Sequence, residues 1–298
     1  MAQADPKRVG IIGLGLMGRA MAGRLLAAGW SVCGYDLAAA ACDAAAGLGV
    51  EVLPDARAVA AETKTIVLSL MTSEDRRRLC WGDQNLAAAL PPGTVLLDTT
   101  TARPEDILED HARLAASGVR LVDVCLSGSS QVAAEGRSLA LIGAPEADAG
   151  CRDLLSAFCK AQYYFDTPGQ GNRVKLIVNL VFGLNRLVLA EALGLAEHAG
   201  FDLDTILEIL RSGETHSVAM DTKGPKMVSG VYEPAVARLA QHAKDVGLIL
   251  EYAHALGAPV PVSEAHAKLI NTLVGRGLGD LDNAAIFEAY RTPREETT

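Results

Sequence analysis

Lys175 and Asn179 are the two residues in the chain best suited to proton chemistry, because they lie four residues apart in a predicted helix. Residues at this spacing project from the same helix face. A positioned lysine can remove a proton from a hydroxyl group and return it in the reverse reaction. We therefore predict Lys175 as a general acid/base and Asn179 as the residue that holds the substrate hydroxyl or orients the lysine amine.

Lys175 needs a lowered pKa for this task, since lysine ordinarily titrates near pH ~10.4. Burial, a helix N-terminus or a neighbouring positive charge would lower it. The residue follows Gly169 and Gly171, so the sequence predicts that it lies in the first turn of the helix. Positive charge is disfavoured there. The alternative is a structural lysine on an exposed helix.

A glycine-rich segment near the start of the chain has the pattern of a dinucleotide-binding turn, GxGxxG, between a predicted strand and a predicted helix. The first glycine permits the turn, the second lets the backbone approach a pyrophosphate, and the third allows the helix to pack on the sheet. The pyrophosphate would lie at the helix N-terminus, where free N–H groups point towards it. The residues that we predict to contact a dinucleotide are Gly13, Leu14, Gly15, Leu16, Met17, Gly18, Asp36, Leu70 and Met71.

Asp36 ends the strand that follows the fingerprint helix, and it favours NAD over NADP. A carboxylate at this place accepts hydrogen bonds from the adenine ribose hydroxyls and repels a 2′-phosphate. The next four residues, Leu-Ala-Ala-Ala, offer no basic side chain for such a phosphate. The alternative is that Asp36 only caps the following helix.

The pattern of strands and helices divides the chain into two parts. Strands that alternate with helices predict an α/β Rossmann-type doubly wound parallel sheet, and we predict them at 8–12, 31–35, 65–70, 94–97, 120–124 and 138–142. Only helices are predicted later, at 172–199, 203–211, 234–256, 261–275 and 282–291. We therefore predict an NAD-binding Rossmann domain over 1–167, and an all-α substrate and oligomerisation domain over 168–298 that begins with a long interdomain helix.

Composition limits the classes of partner. The formal net charge of −9 disfavours nucleic acid and anionic membranes as partners. No apolar run reaches the ~18–20 residues that span a bilayer, so the sequence favours a cytoplasmic protein. The six cysteines form no CxxC pair and no cluster with histidine, which predicts reduced thiols and no metal site.

Five separated segments together resemble the β-hydroxyacid dehydrogenase family, typified by 3-hydroxyisobutyrate dehydrogenase and tartronate semialdehyde reductase. The first three are the fingerprint Gly13–Gly18, the segment Asp98-Thr99-Thr100-Thr101-Ala102-Arg103-Pro104, and Asp123-Val124-Cys125-Leu126-Ser127-Gly128-Ser129. The last two are Gly169-x-Gly171-x-x-x-Lys175-x-x-x-Asn179, and Lys244-Asp245 with the later turn Gly257-Ala258-Pro259-Val260-Pro261.

The resemblance implies reversible oxidation of a 3-hydroxy acid to the aldehyde or ketone, and together with Asp36 we predict an NAD-dependent enzyme that converts a small anionic 3-hydroxy acid to its semialdehyde or keto acid. It assigns the substrate carboxylate to Ser127, Gly128 and Ser129, and further cofactor contacts to Thr101 and Lys244. The loop of residues 127–129 follows a predicted strand, at the ligand-binding edge of such a sheet, although a simple polar turn is the alternative. The resemblance also implies a homodimer or homotetramer built through the helical domain.

The anion loop departs from the family pattern. Cys125 replaces a proline, Ser129 and Ser130 replace a glycine and its neighbour, and Val132 replaces another glycine. The added hydroxyl groups, with Gln131, predict a larger or more polar acid than 3-hydroxyisobutyrate, such as a sugar acid or a sulfonate.

Three other functions compete with this prediction. A 6-phosphogluconate dehydrogenase-like decarboxylase would carry histidine where Val178 stands, and an imine reductase would lack Lys175 in this role. A non-catalytic dinucleotide sensor would need neither Lys175 nor Asn179. His216 and Asp221, in the turn-rich stretch 212–223, are predicted to lie in a solvated loop.

Overall fold

The computed structural model describes residues 7–146 and 151–291. The chain forms two compact units that divide after Lys175. Unit 1 ends at Lys175 and is an α/β structure, whereas unit 2 begins at Leu176 and is helical. The predicted fold class is therefore confirmed, while the predicted domain limits, 1–167 and 168–298, stay a prediction.

Unit 1 is built on an eight-stranded sheet with the order β3-β2-β1-β4-β5-β6-β7-β8. Neighbouring strands are parallel except β6 and β7, which are antiparallel. The strands are β1 (Arg8–Ile12), β2 (Ser31–Tyr35), β3 (Glu51–Val52), β4 (Thr65–Leu68), β5 (Val95–Asp98), β6 (Arg120–Ser127), β7 (Ser138–Gly143) and β8 (Cys159–Phe165). The sequence pattern missed β3, which has two residues, and β8, which alternates weakly and is only partly buried at the sheet edge.

Helices cover the sheet of unit 1, because the strands are apolar on both faces and must be buried on both. One apolar cluster includes Val9, Ile11, Met21, Leu25 and Phe158, and another includes Ile66, Leu68, Leu96 and Leu121. The helices are α1 (Leu16–Ala27), α2 (Ala39–Ala46), α3 (Ala56–Glu62), α4 (Ser73–Trp81), α5 (Leu86–Ala89), α6 (Pro104–Ala115), α7 (Ser130–Ala134) and α8 (Arg152–Ser156).

The helix α9 (Gln170–His198) begins in unit 1 and continues into unit 2. The other helices of unit 2 are α10 (Leu203–Ser212), α11 (Val218–Ser229), α12 (Leu239–Ala255) and α13 (Pro261–Leu273), followed by a π-helical turn (Val274–Leu278) and a 3₁₀ helix (Asn283–Ala289). Their apolar faces meet around Leu193, Leu207, Met227, Ile270 and Phe287.

The sequence prediction was wrong for part of unit 2. α11 starts inside the stretch predicted as a solvated loop, so Asp221 lies on a helix. Gly224 and Pro225 obscured this helix in the sequence, since both residues normally disfavour a helix interior. The helix predicted from 234 begins at Leu239 instead.

By length and composition, α9 is apolar enough to cross a membrane, and 39% of its most apolar window is buried within the structure. The sequence expectation concerned an uninterrupted apolar run, and α9 contains none of that length, because Asn179, Arg186 and Glu191 interrupt it. Long core helices pass the same test, so the observation is weak evidence for a membrane span.

Candidate active site

The carboxyl ends of the six mutually parallel strands, β1 to β6, lie at one edge of the sheet in unit 1. The strand order places β1 between β2 and β4, so the chain connections on the two sides of β1 run in opposite directions. Doubly wound sheets bind ligands at such a reversal, outside the carboxyl ends of the strands. Most of the predicted site residues of unit 1 are gathered here: Gly13–Gly18 after β1, Asp36 after β2, Leu70 and Met71 after β4, Thr101 after β5, and Ser127, Gly128 and Ser129 at the end of β6.

The fingerprint loop has the geometry that a pyrophosphate requires. Gly13 has a φ of 96°, and a side chain there would collide with the backbone of Ser69. Gly18 packs directly on the carbonyl of Gly13, which only a residue without Cβ permits. A Cβ on Gly15, the residue before α1, would meet nothing within 4 Å, so that side of the loop is open to a ligand.

The N-terminus of α1 also suits an anion. Gly15 provides no side-chain cap, and no acidic residue occupies the first turn. The helix N-terminus therefore keeps the positive end of its dipole without a carboxylate to neutralise it. Together with the open side of Gly15, this arrangement fits the diphosphate of a dinucleotide. Leu14 and Gly18 are buried, so they could contribute to dinucleotide binding only through backbone atoms or through packing of the loop.

Asp36 holds the fingerprint loop to the next strand connection. One carboxylate oxygen accepts the Leu14 N–H at 2.6 Å, and the other accepts the Ala38 N–H at 2.8 Å. Ala38 directly precedes α2, so Asp36 takes part in the start of that helix, as its alternative role requires. A carboxylate has about four acceptor positions, which leaves positions for ribose hydroxyl groups.

A buried ion network supports the loop that carries Thr101. Arg76, on α4, donates to Asp98 at 2.5 Å and to Asp110 at 2.6 and 2.9 Å. Asp98 ends β5, and its other oxygen accepts the Thr100 N–H at 3.1 Å. The network thereby fixes the turn that begins two residues before Thr101. Sequence reasoning missed Arg76, because nothing in the run of three arginines on α4 marks the first one as buried.

Asp123 fixes the start of α9. Its two oxygens accept the N–H groups of Gly169 and Asn172, each at 2.9 Å, and the Asn172 side chain accepts the Ala102 N–H at 2.8 Å. Burial raises the pKa of Asp123, although these backbone donors oppose the shift. Gly171 is required here, because a Cβ would lie 2.8 Å from the carboxylate. The first turn of the candidate catalytic helix is thus tied to the sheet and to the Thr101 loop.

Lys175 is half-buried and is the sixth residue of α9. The sequence placed it in the first turn, whereas the structure places it in the second, because the helix already begins at Gln170. The effect of the helix dipole falls off within the first turn, so it contributes less to the electrostatics of Lys175 than expected.

Within unit 2, Asn179 donates to Asp245 on α12 at 3.1 Å. The other oxygen of Asp245 lies 3.1 Å from the amine of Lys244. Asp245 therefore fixes the amide of Asn179 by a hydrogen bond and forms an ion pair with the adjacent lysine. The sequence analysis included Asp245 only as part of the segment Lys244-Asp245. That segment is the sequence signal by which Asp245 could have been identified as a functional residue.

Ser127, Gly128 and Ser129 form a turn between β6 and α7. Gly128 has a φ of 139°, and Ser129 caps α7 by accepting the Val132 N–H at 3.4 Å. The hydroxyl of Ser129 thus already has a structural task, while that of Ser127 lies at the strand end. In unit 2, His216 and Asp221 are exposed and lie 2.8 Å apart.

Comparison with known proteins places both parts of the chain in known families. Residues 8–166 match the family described as the NAD binding domain of 6-phosphogluconate dehydrogenase. Residues 169–290 match the family described as NAD-binding of NADP-dependent 3-hydroxyisobutyrate dehydrogenase.

Individual relatives match over nearly the whole chain. The 2-(hydroxymethyl)glutarate dehydrogenase of Eubacterium barkeri is 31% identical over 95% of this chain and 94% of its own. The L-threonate dehydrogenase of Escherichia coli K12 is 29% identical with the same coverage. The crystal structure of 3-hydroxyisobutyrate dehydrogenase from Salmonella typhimurium is 28% identical, covers 94% of this chain and 99% of its own, and gives a TM-score of 0.88. The chain therefore belongs to the β-hydroxyacid dehydrogenase family of NAD(P)-dependent oxidoreductases.

Proposed function

We propose that the protein interconverts a 3-hydroxy acid and its semialdehyde or keto acid, with Lys175 as the general acid/base. The observation that carries this proposal is the placement of Lys175 and Asn179 one turn apart on α9. Asp123 fixes the start of that helix, and Asp245 fixes the Asn179 amide. A proton-transfer pair needs such fixed positions, since a misplaced group loses much of its effect.

The loop Gly13–Gly18 and Asp36 would hold the dinucleotide, whose nicotinamide would supply the hydride acceptor or donor. Lys175 removes the hydroxyl proton during oxidation and returns it during reduction. Asn179 holds the substrate oxygen, and because Asp245 occupies one of its N–H groups, the amide keeps a single orientation. The residues Ser127, Gly128 and Ser129 are proposed to hold the substrate carboxylate, and Thr101 and Lys244 to contact the cofactor.

The test is the rate of NAD(P) reduction with a panel of 3-hydroxy acids for wild type, Lys175→Ala and Lys268→Ala. Loss of a general acid/base lowers kcat about 10²–10⁴-fold. We expect that loss for Lys175→Ala with cofactor binding unchanged, and near-normal kcat for the exposed control Lys268→Ala. Nearly full activity in Lys175→Ala would overturn the assigned role.

NAD is the proposed cofactor, with NADP less favoured. Asp36 supports this choice through its negative charge, as does the absence of basic residues from 37–40. The family matched by residues 169–290 is described as NADP-dependent, so the ratio of kcat/KM values for the two cofactors is the deciding measurement. A higher kcat/KM with NADP would refute the proposal.

The proposed substrate is a polar or larger acid, such as a sugar acid or sulfonate. The hydroxyl groups of Ser129 and Ser130 and the amide of Gln131 support this class, although Ser129 also caps α7. In the same panel, a preference for a small apolar 3-hydroxy acid over every polyhydroxy acid would contradict it.

We also propose that the protein is a cytoplasmic homodimer or homotetramer that assembles through the helical unit and binds neither nucleic acid nor membranes. An exposed apolar stripe on α9 supports assembly, with Ile177, Val181, Val188 and Leu195 at helical spacing. Such a stripe is normally covered by another surface. Light scattering that finds a monomer at micromolar concentration would refute this assembly.

A further inference from the structure

Unit 2 contains a buried group of basic side chains from three helices. Arg186 lies on α9, His242 on α12 and His266 on α13, and they are 1%, 7% and 2% exposed. The two imidazole rings lie 5.0 Å apart between centroids and are tilted by 45°. Buried basic groups of this kind normally have partners, because their desolvation is costly.

Four nitrogen atoms in this group have no hydrogen-bond partner among the described residues. They are Nε and Nη2 of Arg186, Nε2 of His242 and Nε2 of His266. Arginine can only donate, and each neutral imidazole can present an N–H at Nε2. Two nitrogens of Arg186 therefore donate to none of the described residues, and each ring can offer one further donor when its proton is on Nε2.

The unpartnered atoms lie along one face of α9. A Cβ on Gly183 would lie 3.1 Å from Nε2 of His242 and 3.4 Å from Cε1 of His266. Arg186 is three residues further and so projects from the same face. Glycine at 183 thus admits both rings against the backbone beside the arginine.

The charge of Arg186 is incompletely balanced. Burial lowers its pKa to about 10, and the charges of Asp282 and Asp245 only partly oppose this shift, so the guanidinium stays protonated at neutral pH. Burial, together with the charge of Arg186, also lowers the pKa of His242 and brings that of His266 to about 4. Both rings are therefore neutral at neutral pH and do not repel an anion.

The neighbouring carboxylates already have partners. Asp282 accepts from Lys223 at 2.8 Å and from the N–H groups of Val236 and Ala284 at 2.9 and 3.0 Å. Asp245 accepts from Asn179 through Oδ2, whereas its Oδ1 lies 3.1 Å from the Lys244 amine as an ion pair and has no hydrogen-bond partner among the described residues. Neither carboxylate forms a hydrogen bond with Arg186 among the described residues, so Nε and Nη2 of Arg186 remain without an acceptor.

We propose that Arg186, His242 and His266 form an internal anion site of the helical unit, with a carboxylate as its ligand. A carboxylate would accept from the guanidinium in a bidentate manner and from the imidazole N–H groups, and it would neutralise the buried charge. Water would satisfy the donors without neutralising the charge. A metal ion would be repelled by Arg186, and no group of three or more metal-ligating side chains occurs in the described part of the chain.

The carboxylate has two possible sources: a free anion, or a second carboxylate on the substrate. Asn179, the proposed partner of the substrate hydroxyl, lies seven residues before Arg186 and thus on the same helix face. A substrate with an acidic group beyond its reacting carbon would extend towards Arg186. This second source rests on the proposed function, whereas the site itself does not.

The first experiment measures the Tm of the cofactor-free full chain against sodium formate, with ionic strength held constant by sodium MOPS. The variants are Arg186→Met, Arg186→Lys and the control Arg238→Met, which alters an exposed arginine of the same unit. For wild type and Arg238→Met we expect a rise of about 3–5 °C for each tenfold of formate above the Kd. The Tm of Arg186→Met should rise by less than about 1 °C. The rise for Arg186→Lys should be intermediate, because lysine keeps the positive charge but lacks the paired N–H donors of the guanidinium.

An equal formate response in wild type and in both Arg186 variants would overturn the anion site, whatever the enzymatic activity. If Arg186→Met fails to fold, Arg186→Lys carries the same comparison.

The second experiment identifies the source of the carboxylate. It compares KM values for 3-hydroxybutyrate and 3-hydroxyglutarate, whose second carboxylate lies beyond the reacting carbon, in wild type and Arg186→Met. A rise of at least about tenfold for the dicarboxylate alone assigns the site to the substrate. Equal effects on both acids assign the formate response to a free anion.

Discussion

Among the described residues, two arginines are fully buried, and their surroundings differ. Arg76, in unit 1, uses Nε, Nη1 and Nη2 to bind Asp98 and Asp110. Arg186, in unit 2, has two of its nitrogens without a partner among the described residues. The pKa values follow this difference. Burial lowers both, but the two carboxylates more than compensate at Arg76 and raise its pKa, whereas that of Arg186 falls to about 10.

The difference separates a structural arginine from one that is available to a ligand. Each nitrogen of Arg76 has a carboxylate acceptor within its own unit, and the residue supports the turn before Thr101. Arg186 carries the desolvation cost of a buried charge without the matching hydrogen bonds. Burial alone therefore does not indicate function, and the number of satisfied donors is the more informative property.

The largest expected effect is at Arg76. Arg76→Met leaves Asp98 buried without its ion-pair partner and weakens the support of Asp110, which keeps only Arg77. Removing one member of a buried ion pair costs about 3–5 kcal/mol. Urea unfolding would measure this loss, with Arg78→Met as a control on the same helix, since Arg78 is exposed. A loss below about 1 kcal/mol at Arg76 would remove the contrast with Arg186.

The second-largest effect is expected for mild acid, which should lower the free energy of unfolding through His266, a neighbour of Arg186. The folded-state pKa of His266 is about 4, below the unfolded value of about 6.5, so the unfolded chain binds more protons between these limits. The stability contribution is complete above pH ~6.5 and is lost as the pH falls towards 4. Because of His266, the free energy of unfolding should fall by about 2 kcal/mol between pH 7 and pH 5.

The measurement for that prediction is the free energy of unfolding at pH 7 and pH 5 for wild type and His266→Phe. The variant should lose correspondingly less stability over this interval, since phenylalanine does not titrate. Identical pH dependence in the two proteins would mean that His266 titrates normally in the folded state.

The smallest effect is expected for Arg186→Met in the absence of added anion. Removing an incompletely paired buried charge leaves no new unpaired partner, because Asp282 and Asp245 keep their other contacts. We expect a change of at most about 1 kcal/mol in either direction. Urea unfolding beside Arg76→Met gives the direct comparison, and a loss as large as that at Arg76 would indicate that Arg186 is already satisfied within the unit.

Much of the nucleotide end could be predicted from sequence, because its determinants are local. The spacing of Gly13, Gly15 and Gly18 encodes a turn and a helix start, and the alternation of apolar strands with helices encodes the sheet. The strands missed were the two-residue β3 and the partly exposed β8, which have little apolar pattern to detect. α11 was missed because Gly224 and Pro225 resemble the end of a helix.

The sequence by itself determined the family, the Rossmann fold and the position of Lys175 and Asn179 on one helix face, since each follows from residue type and short-range spacing. Only the tertiary structure decided which residues from distant segments form hydrogen bonds with that helix. Asp245 reaches Asn179 across 66 residues of sequence, and Asp123 reaches Asn172 across 49. The meeting of Arg186 with two histidines from other helices was equally invisible, because helical periodicity records which face is buried and not which side chains from distant segments meet there.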